Sequence, residues 1–370
     1  MTGPSVRVLV VDDSVVVRRV VQDVLQAERD FEVVATAVDG EAALEVLERL
    51  PVDVVILDVE MPRLDGLETL RRLRPRWPSL PVIMFSTLTE RGASATLDAL
   101  ALGASDYLTK PTRLQGPDAA RAAVADQLVP LVRTWGRIGR RSAAPSAAAA
   151  PTPARRPRPD PPSRPSGAGR RRAPISAVLI GSSTGGPSAL AEIVPALPAT
   201  LGVPVLVVQH MPPMFTRMLA ERLDQRSALR VVEGAAGTPV RPGTVYVAPG
   251  GVHMVANRTR EGVRIEVDDG PPEHSVKPAV DVLLRSGVDA WGGEVLTVIL
   301  TGMGYDGLAG ARRVVDAGGV VLAQDEQSSV VWGMPGAVVT AGMAEQVLPL
   351  GEVAAAIGRY LERPGVAARP

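Results

Sequence analysis

Between Gly139 and Pro174 the chain contains no Leu, Ile, Val, Phe, Met, Trp or Tyr. A stretch of Ala, Pro, Arg, Ser and Gly cannot bury enough apolar surface to offset the entropy of ordering it. Its prolines favour an extended, semi-stiff path. The 370 residues are therefore split into two halves, each of which must find its own core. Apolar residues make up 46% of the sequence and aromatics only 3%, so both cores draw on Val, Leu, Ile and Ala. Unbroken runs of these residues mark parallel strands covered on both faces.

Each half alternates strand and helix signals, which predicts α/β architecture with parallel sheets. In the first half, apolar strands at Val6–Val11, Glu32–Ala37, Val52–Leu57, Pro81–Phe85 and Tyr107–Leu108 alternate with helical patterns. The second half restarts with strand Ile175–Ile180 and helix Pro187–Leu197, and later has strand Val295–Leu300. Three alternating segments, Thr244–Ala248, Val252–Ala256 and Val263–Val267, predict hairpins inserted into it. The expected boundaries are a first domain at 5–125, a linker at 126–173 and a second domain at 174–362.

Composition excludes several functions. The absence of cysteine removes disulfides, thiolate catalysis and cysteine-based metal sites. No apolar run reaches bilayer length, and the first residues lack the pattern of a secretory leader. The expectation is a soluble, cytoplasmic protein without membrane insertion. Residues 137–173 carry ten Arg against one acid, Asp160, a local charge of +9 within a chain of zero net charge. A basic run can serve nucleic acid. This one lacks aromatic interleaving and helical periodicity, and the rest of the chain is acidic, so it reads as a solvated linker and no nucleic-acid partner is expected.

In the first half, three strands run into polar groups: Asp12-Asp13, Asp58 and Ser86, with Lys110-Pro111 after the fifth strand. Carboxyl ends of parallel strands meet at one sheet edge. Clustered carboxylates repel unless a cation lies between them, and a hard divalent ion such as Mg2+ suits them. Each acid alone could be an ordinary helix cap. The whole ordered set resembles the receiver domain of response regulators, a flavodoxin-like five-stranded parallel sheet. The resemblance implies phosphorylation at Asp58, Mg2+ on Asp13 and Asp58 with help from Asp12, and a switch pair in Ser86 and Tyr107. It also implies a Lys110 contact to the phosphoryl group and a cis Lys110–Pro111 bond.

In the second half, Gly181-Ser182-Ser183-Thr184-Gly185 is a G-x-S-x-G between a buried strand and a helix, the context of a nucleophilic serine. A phosphate cradle or a plain N-cap are alternatives, although the loop has neither P-loop nor dinucleotide spacing. A serine nucleophile needs a base. Of three histidines, His210 stands at the end of the next strand, His253 lies in a hairpin segment and His274 in a Pro-rich turn. Asp306 follows the strand Val295–Leu300 and could orient His210, or could cap the next helix.

The segments Ile180-Gly-Ser-Ser-Thr-Gly-Gly186, Gln209-His-Met-Pro-Pro213, Asp269-Gly-Pro-Pro272 and Leu300-Thr-Gly-Met-Gly-Tyr-Asp-Gly307 resemble the chemotaxis protein-glutamate methylesterases, the CheB family. Ser182 and Tyr305 stand where Ala and Asn are more familiar. The resemblance implies a doubly wound α/β domain with a β-hairpin insertion and a Ser183–His210–Asp306 triad. It places Thr184 and Met303 near the oxyanion, and Arg217 is a candidate contact for an acidic receptor helix, or else a solvated charge. It implies hydrolysis of glutamyl methyl esters on methyl-accepting chemotaxis receptors, with deamidation of receptor glutamines and no cofactor for that chemistry. A histidine kinase is the implied phosphodonor. The tandem arrangement leads to the expectation that the unphosphorylated receiver restrains the second domain. A non-enzymatic regulator and a DNA-binding regulator are the rival classes.

Overall fold

The computed structural model describes residues 5–110, 117–143 and 174–362. The chain forms two compact units, residues 1–155 and 156–370. In the first, the order is β1 (Val6–Val11), α1 (Val15–Gln26), β2 (Phe31–Ala37), α2 (Gly40–Arg49) and β3 (Val54–Asp58). There follow α3 (Gly66–Leu73), β4 (Val82–Ser86), α4 (Glu90–Ala101), β5 (Asp106–Thr109) and α5 (Pro117–Ala143). The strands pair in parallel in the order β2-β1-β3-β4-β5. This is the expected flavodoxin-like topology, with its switch point between β1 and β3. Helices α1 to α4 are capped by Ser14, Asp39, Asp65 and Thr89. Asp12, Asp13 and Asp58 are thus not the helix caps that each could have been alone.

One boundary differs from the expectation. Helix α5 runs on through residues 126–143, which the composition suggests are linker. Val124, Leu128, Val132 and Trp135 are buried along it at helical spacing. Only about one residue in four along this helix meets the core, so the average composition conceals the stripe. The Lys110–Pro111 bond and residues 144–173 lie outside the described residues.

The second unit begins with β6 (Ala177–Ser182), α6 (Gly186–Ala196), β7 (Val205–Gln209), α7 (Phe215–Asp224), β8 (Arg230–Glu233) and β9 (Thr244–Val247). It continues with β10 (His253–Thr259), β11 (Gly262–Asp268), α8 (Val280–Trp291), β12 (Val295–Ile299) and α9 (Leu308–Asp316). It ends with β13 (Val320–Gln324), α10 (Met334–Thr340), β14 (Gln346–Leu348) and α11 (Leu350–Glu362). Seven strands form one parallel sheet in the order β14-β13-β12-β6-β7-β9-β8.

Only β10 and β11 make the inserted antiparallel hairpin. The segment at Thr244, expected in a hairpin, instead pairs in parallel with β7 and β8 as β9. Its Val245, Tyr246 and Val247 are all buried, because layers cover both faces of this strand. Helix α8 buries Val280, Leu283 and Leu284 in the cluster that holds Leu179, Leu206, Met254 and Ile265. Each fully buried leucine of this kind contributes about 1.5–3 kcal/mol. That packing anchors the end of α8 on which the site below depends. Among the described residues no helix is long and apolar enough to cross a membrane.

Candidate functional site

Strand β6 lies between β12 and β7, and the chain leaves it first toward β7 and later returns at β12. Ligands bind outside the carboxyl ends of strands at such a reversal. Ser183 sits there, half-buried, in the tight turn between β6 and α6. Gly185 closes that turn at φ 75°, a left-handed conformation that glycine adopts without a Cβ penalty. The Ser183 N–H donates to Thr301 O (3.0 Å), and Ser183 O accepts from Gly186 N–H (2.7 Å) and the Gln209 side-chain amide (3.0 Å). The Ser183 backbone is therefore tied to both neighbouring strands, while its hydroxyl makes no hydrogen bond among the described residues.

His210 follows β7, and its N–H donates to Ser182 O (3.2 Å). Its Nε2 lies 2.8 Å from Asp306 Oδ2. Asp306 is 2% exposed and accepts two further bonds, from Val280 N–H (2.7 Å) and Asp281 N–H (2.9 Å). Burial alone would raise the Asp306 pKa. The bond from His210 and the two N–H groups at the start of α8 outweigh it and hold the carboxyl below its ordinary value. An ionised Asp306 is acceptor only, so His210 Nε2 is the donor in this bond. Asp306 does not cap the helix that follows it in sequence: α9 starts after Gly307 with no side-chain cap.

Thr184 is buried beside Ser183, its carbonyl accepting from Thr301 Oγ1 (2.9 Å). Met303 is half-buried after Gly302, where a Cβ would lie 2.9 Å from Ser183 Cβ. Arg217 is exposed on α7, with its Nε 3.9 Å from Glu221 Oε1.

In the first unit, Asp12, Asp13 and Asp58 gather at the β1/β3 reversal, with one carboxylate oxygen from each within 4.8 Å of the others. Lys110 Nζ lies 2.7 Å from both Asp12 Oδ2 and Asp58 Oδ2. Burial and the neighbouring Asp12 push Asp58 up to about 6, against the opposing effect of Lys110. Asp12 Oδ2 is buried and makes no aligned hydrogen bond, so Lys110 neutralises it without satisfying it. Two buried carboxylates, an exposed Asp13 and an under-satisfied oxygen fit a hard divalent cation such as Mg2+. Ser86 is fully buried at the end of β4, and Tyr107 is half-buried on the neighbouring strand β5, in register with Met84.

Comparison with known proteins agrees with both halves. A family model described as CheB methylesterase matches residues 178–357, and one for the response regulator receiver domain matches 8–117. A protein-glutamate methylesterase/protein-glutamine glutaminase of Nocardioides is 50% identical over 97% of this chain and 96% of its own length. One of Trichodesmium erythraeum is 44% identical over 97% and 99%. The chain belongs to the CheB methylesterase family. A crystal structure of the Thermotoga maritima CheB methylesterase catalytic domain, 42% identical, covers 51% of this chain and 99% of that one, with a TM-score of 0.49.

The motifs contain further residues of this CheB site whose roles the sequence did not reveal. Gln209 joins Ser182 Oγ (2.7 Å), Ser183 O and His210 O, locking the serine turn to the histidine strand. Thr301 N–H donates to Gln324 Oε1 (2.8 Å), and Thr301 Oγ1 accepts from Val331 N–H (3.0 Å). Gln209 and Thr301 both lie within the segments that carry the family resemblance, but nothing in those segments indicated these hydrogen bonds.

Proposed function

We propose that this protein hydrolyses glutamyl methyl esters on chemotaxis receptors and deamidates receptor glutamines, through an acyl-enzyme on Ser183 and under control of phosphorylation at Asp58. The observation that carries the reading is the short His210–Asp306 bond at the sheet edge that also holds Ser183. The relatives' names supply the substrate class.

His210 Nδ1 takes the Ser183 proton while Nε2 stays bonded to Asp306. The ring nitrogens are used in the opposite sense from the most familiar serine hydrolases, but base and orienter still occupy opposite ends of one imidazole. Ser183 Oγ attacks the ester carbonyl. The Thr184 and Met303 N–H groups donate to no other group among the described residues, which leaves them available to the developing oxyanion. Methanol, or ammonia from a glutamine, departs with the proton from His210. Water then attacks the acyl-enzyme with His210 again as base, freeing glutamate and restoring Ser183. None of these steps calls on a metal.

In the receiver, Asp12, Asp13 and Asp58 would hold Mg2+, which neutralises charge on a phosphoryl group as Asp58 receives it. Lys110 already lies against Asp58, placed to contact the added oxygens, with Ser86 and Tyr107 as the pair that responds. A chemotaxis histidine kinase is the phosphodonor. The deciding experiment is methanol release from methylated receptor by wild type and Ser183→Ala. The alanine variant should lose at least about a thousandfold in rate, and full activity in it would remove Ser183 from the mechanism.

A further inference from the structure

All three histidines of the chain converge on the first residues of α8. His210 reaches them through Asp306, which holds the Val280 and Asp281 N–H groups. His274 Nε2 lies 2.9 Å from Asp281 Oδ2. His253, on the hairpin strand β10 and 2% exposed, accepts the Ala279 N–H at Nδ1 (3.1 Å), and its Nε2 lies 3.1 Å from Pro271 O.

The His253 contacts define its chemistry. A backbone N–H only donates, so Nδ1 is bare. A carbonyl only accepts, so Nε2 carries the hydrogen. The ring is a neutral imidazole in one tautomer, bonded at both nitrogens. It joins the two ends of the 271–279 segment that leads from the hairpin into α8. Ala279 is the residue at which α8 starts, and it has no side chain able to cap the helix. The N–H groups of residues 279, 280 and 281 are thus divided between His253 and Asp306. Whatever moves Ala279 moves the two donors that aim the Asp306 carboxylate.

We propose that His253 is a positioning residue of the active site. Its neutral imidazole pins the α8 N-terminus, and through it Asp306 and the His210 ring. The proposal rests on the Ser183–His210–Asp306 reading.

The test uses the full-length protein with Mg2+ and a small-molecule phosphodonor, and follows methanol release from methylated receptor. His253→Asn keeps an acceptor near the Nδ1 position, and His253→Gln keeps only a donor near Nε2. With melting temperatures establishing that the variants are folded, His253→Asn should retain kcat within about fivefold. His253→Gln and His253→Ala should lose roughly 10- to 100-fold, the scale expected when a catalytic group is misplaced by about 1 Å. KM should be unchanged, and the acid limb of the kcat profile should move. Equal kcat and an unmoved acid limb in His253→Gln would overturn the proposal. Should the variants not fold, 15N spectra of the wild-type imidazoles decide it: the Nε2–H tautomer at His253 supports the pin and the Nδ1–H tautomer overturns it. Ser183→Ala separates the two readings. If that variant keeps full activity, the triad itself is wrong, whereas an inactive Ser183→Ala beside an unaffected His253→Gln removes only the pin.

Discussion

Asp306 is the residue on which most of the site's geometry depends, and removing its carboxylate should have two separable effects. The first is catalytic. Without the 2.8 Å bond at Nε2, the His210 ring loses the partner that fixes its orientation. Loss of the orienting carboxylate from a serine triad costs about 10^4 in kcat, which at 1.36 kcal/mol per decade is about 5.4 kcal/mol. The second is structural. Val280 and Asp281 N–H lose their acceptor inside the protein, each at about 1–3 kcal/mol less whatever water restores. Asp306→Ala should therefore lower kcat about 10^4-fold and destabilise the second unit by about 2–4 kcal/mol. Asp306→Asn retains one acceptor but presents an NH2 group to the remaining donors, so it should recover part of the stability and little of the activity. Single-turnover methanol release and calorimetry of the same samples separate the effects. If Asp306→Asn keeps kcat within tenfold of wild type, Asp306 does not orient the base. The sign of the pH effect follows from the lowered Asp306 pKa. Its stabilisation is complete above the unfolded value near 4 and is lost as pH falls through the lower folded value.

Asp58 should behave in the opposite sense. Its folded pKa of about 6 exceeds the ordinary 3.8, so in Mg2+-free buffer it weakens the receiver progressively as pH rises from about 4 to about 6. Asp58→Asn should remove a penalty on the order of 2–3 kcal/mol at pH 7.5 and lose that advantage below pH 4, as read from receiver melting temperatures; a variant that melts lower at pH 7.5 would contradict this. At the serine turn, Gly302→Ala would drive a methyl group against Ser183 Cβ and the Met334 sulfur. A drop in kcat of about 100-fold is expected from the resulting shift of Ser183, and unchanged kinetics would show that the turn yields freely.

Much of the architecture is readable along the chain because its signals are local. Apolar runs mark the buried strands, and a parallel sheet gathers their carboxyl ends at one edge whatever the details. Asp12, Asp58, Ser183 and His210 could therefore be placed from strand ends alone. The extent of α5 was less legible, because its buried residues Val124, Leu128, Val132 and Trp135 recur at helical spacing in a segment that also holds several Arg and an internal Pro130. So was β9, since alternation and full burial cannot be told apart over four residues.

What only the tertiary structure decided is which donors meet which acceptors. Asp306 looks in sequence like a cap for its own helix, yet it serves the N-terminus of α8, about 25 residues earlier, because packing of α8 beside β6 brings those N–H groups within reach. His253 and His274 carry no motif at all, and their meaning comes from the hairpin and turn that fold them onto the same helix end. Periodicity and strand ends are properties of a short stretch of chain and survive in the sequence. A hydrogen bond between distant residues is a property of the folded core, which determines whether polar groups so far apart become partners.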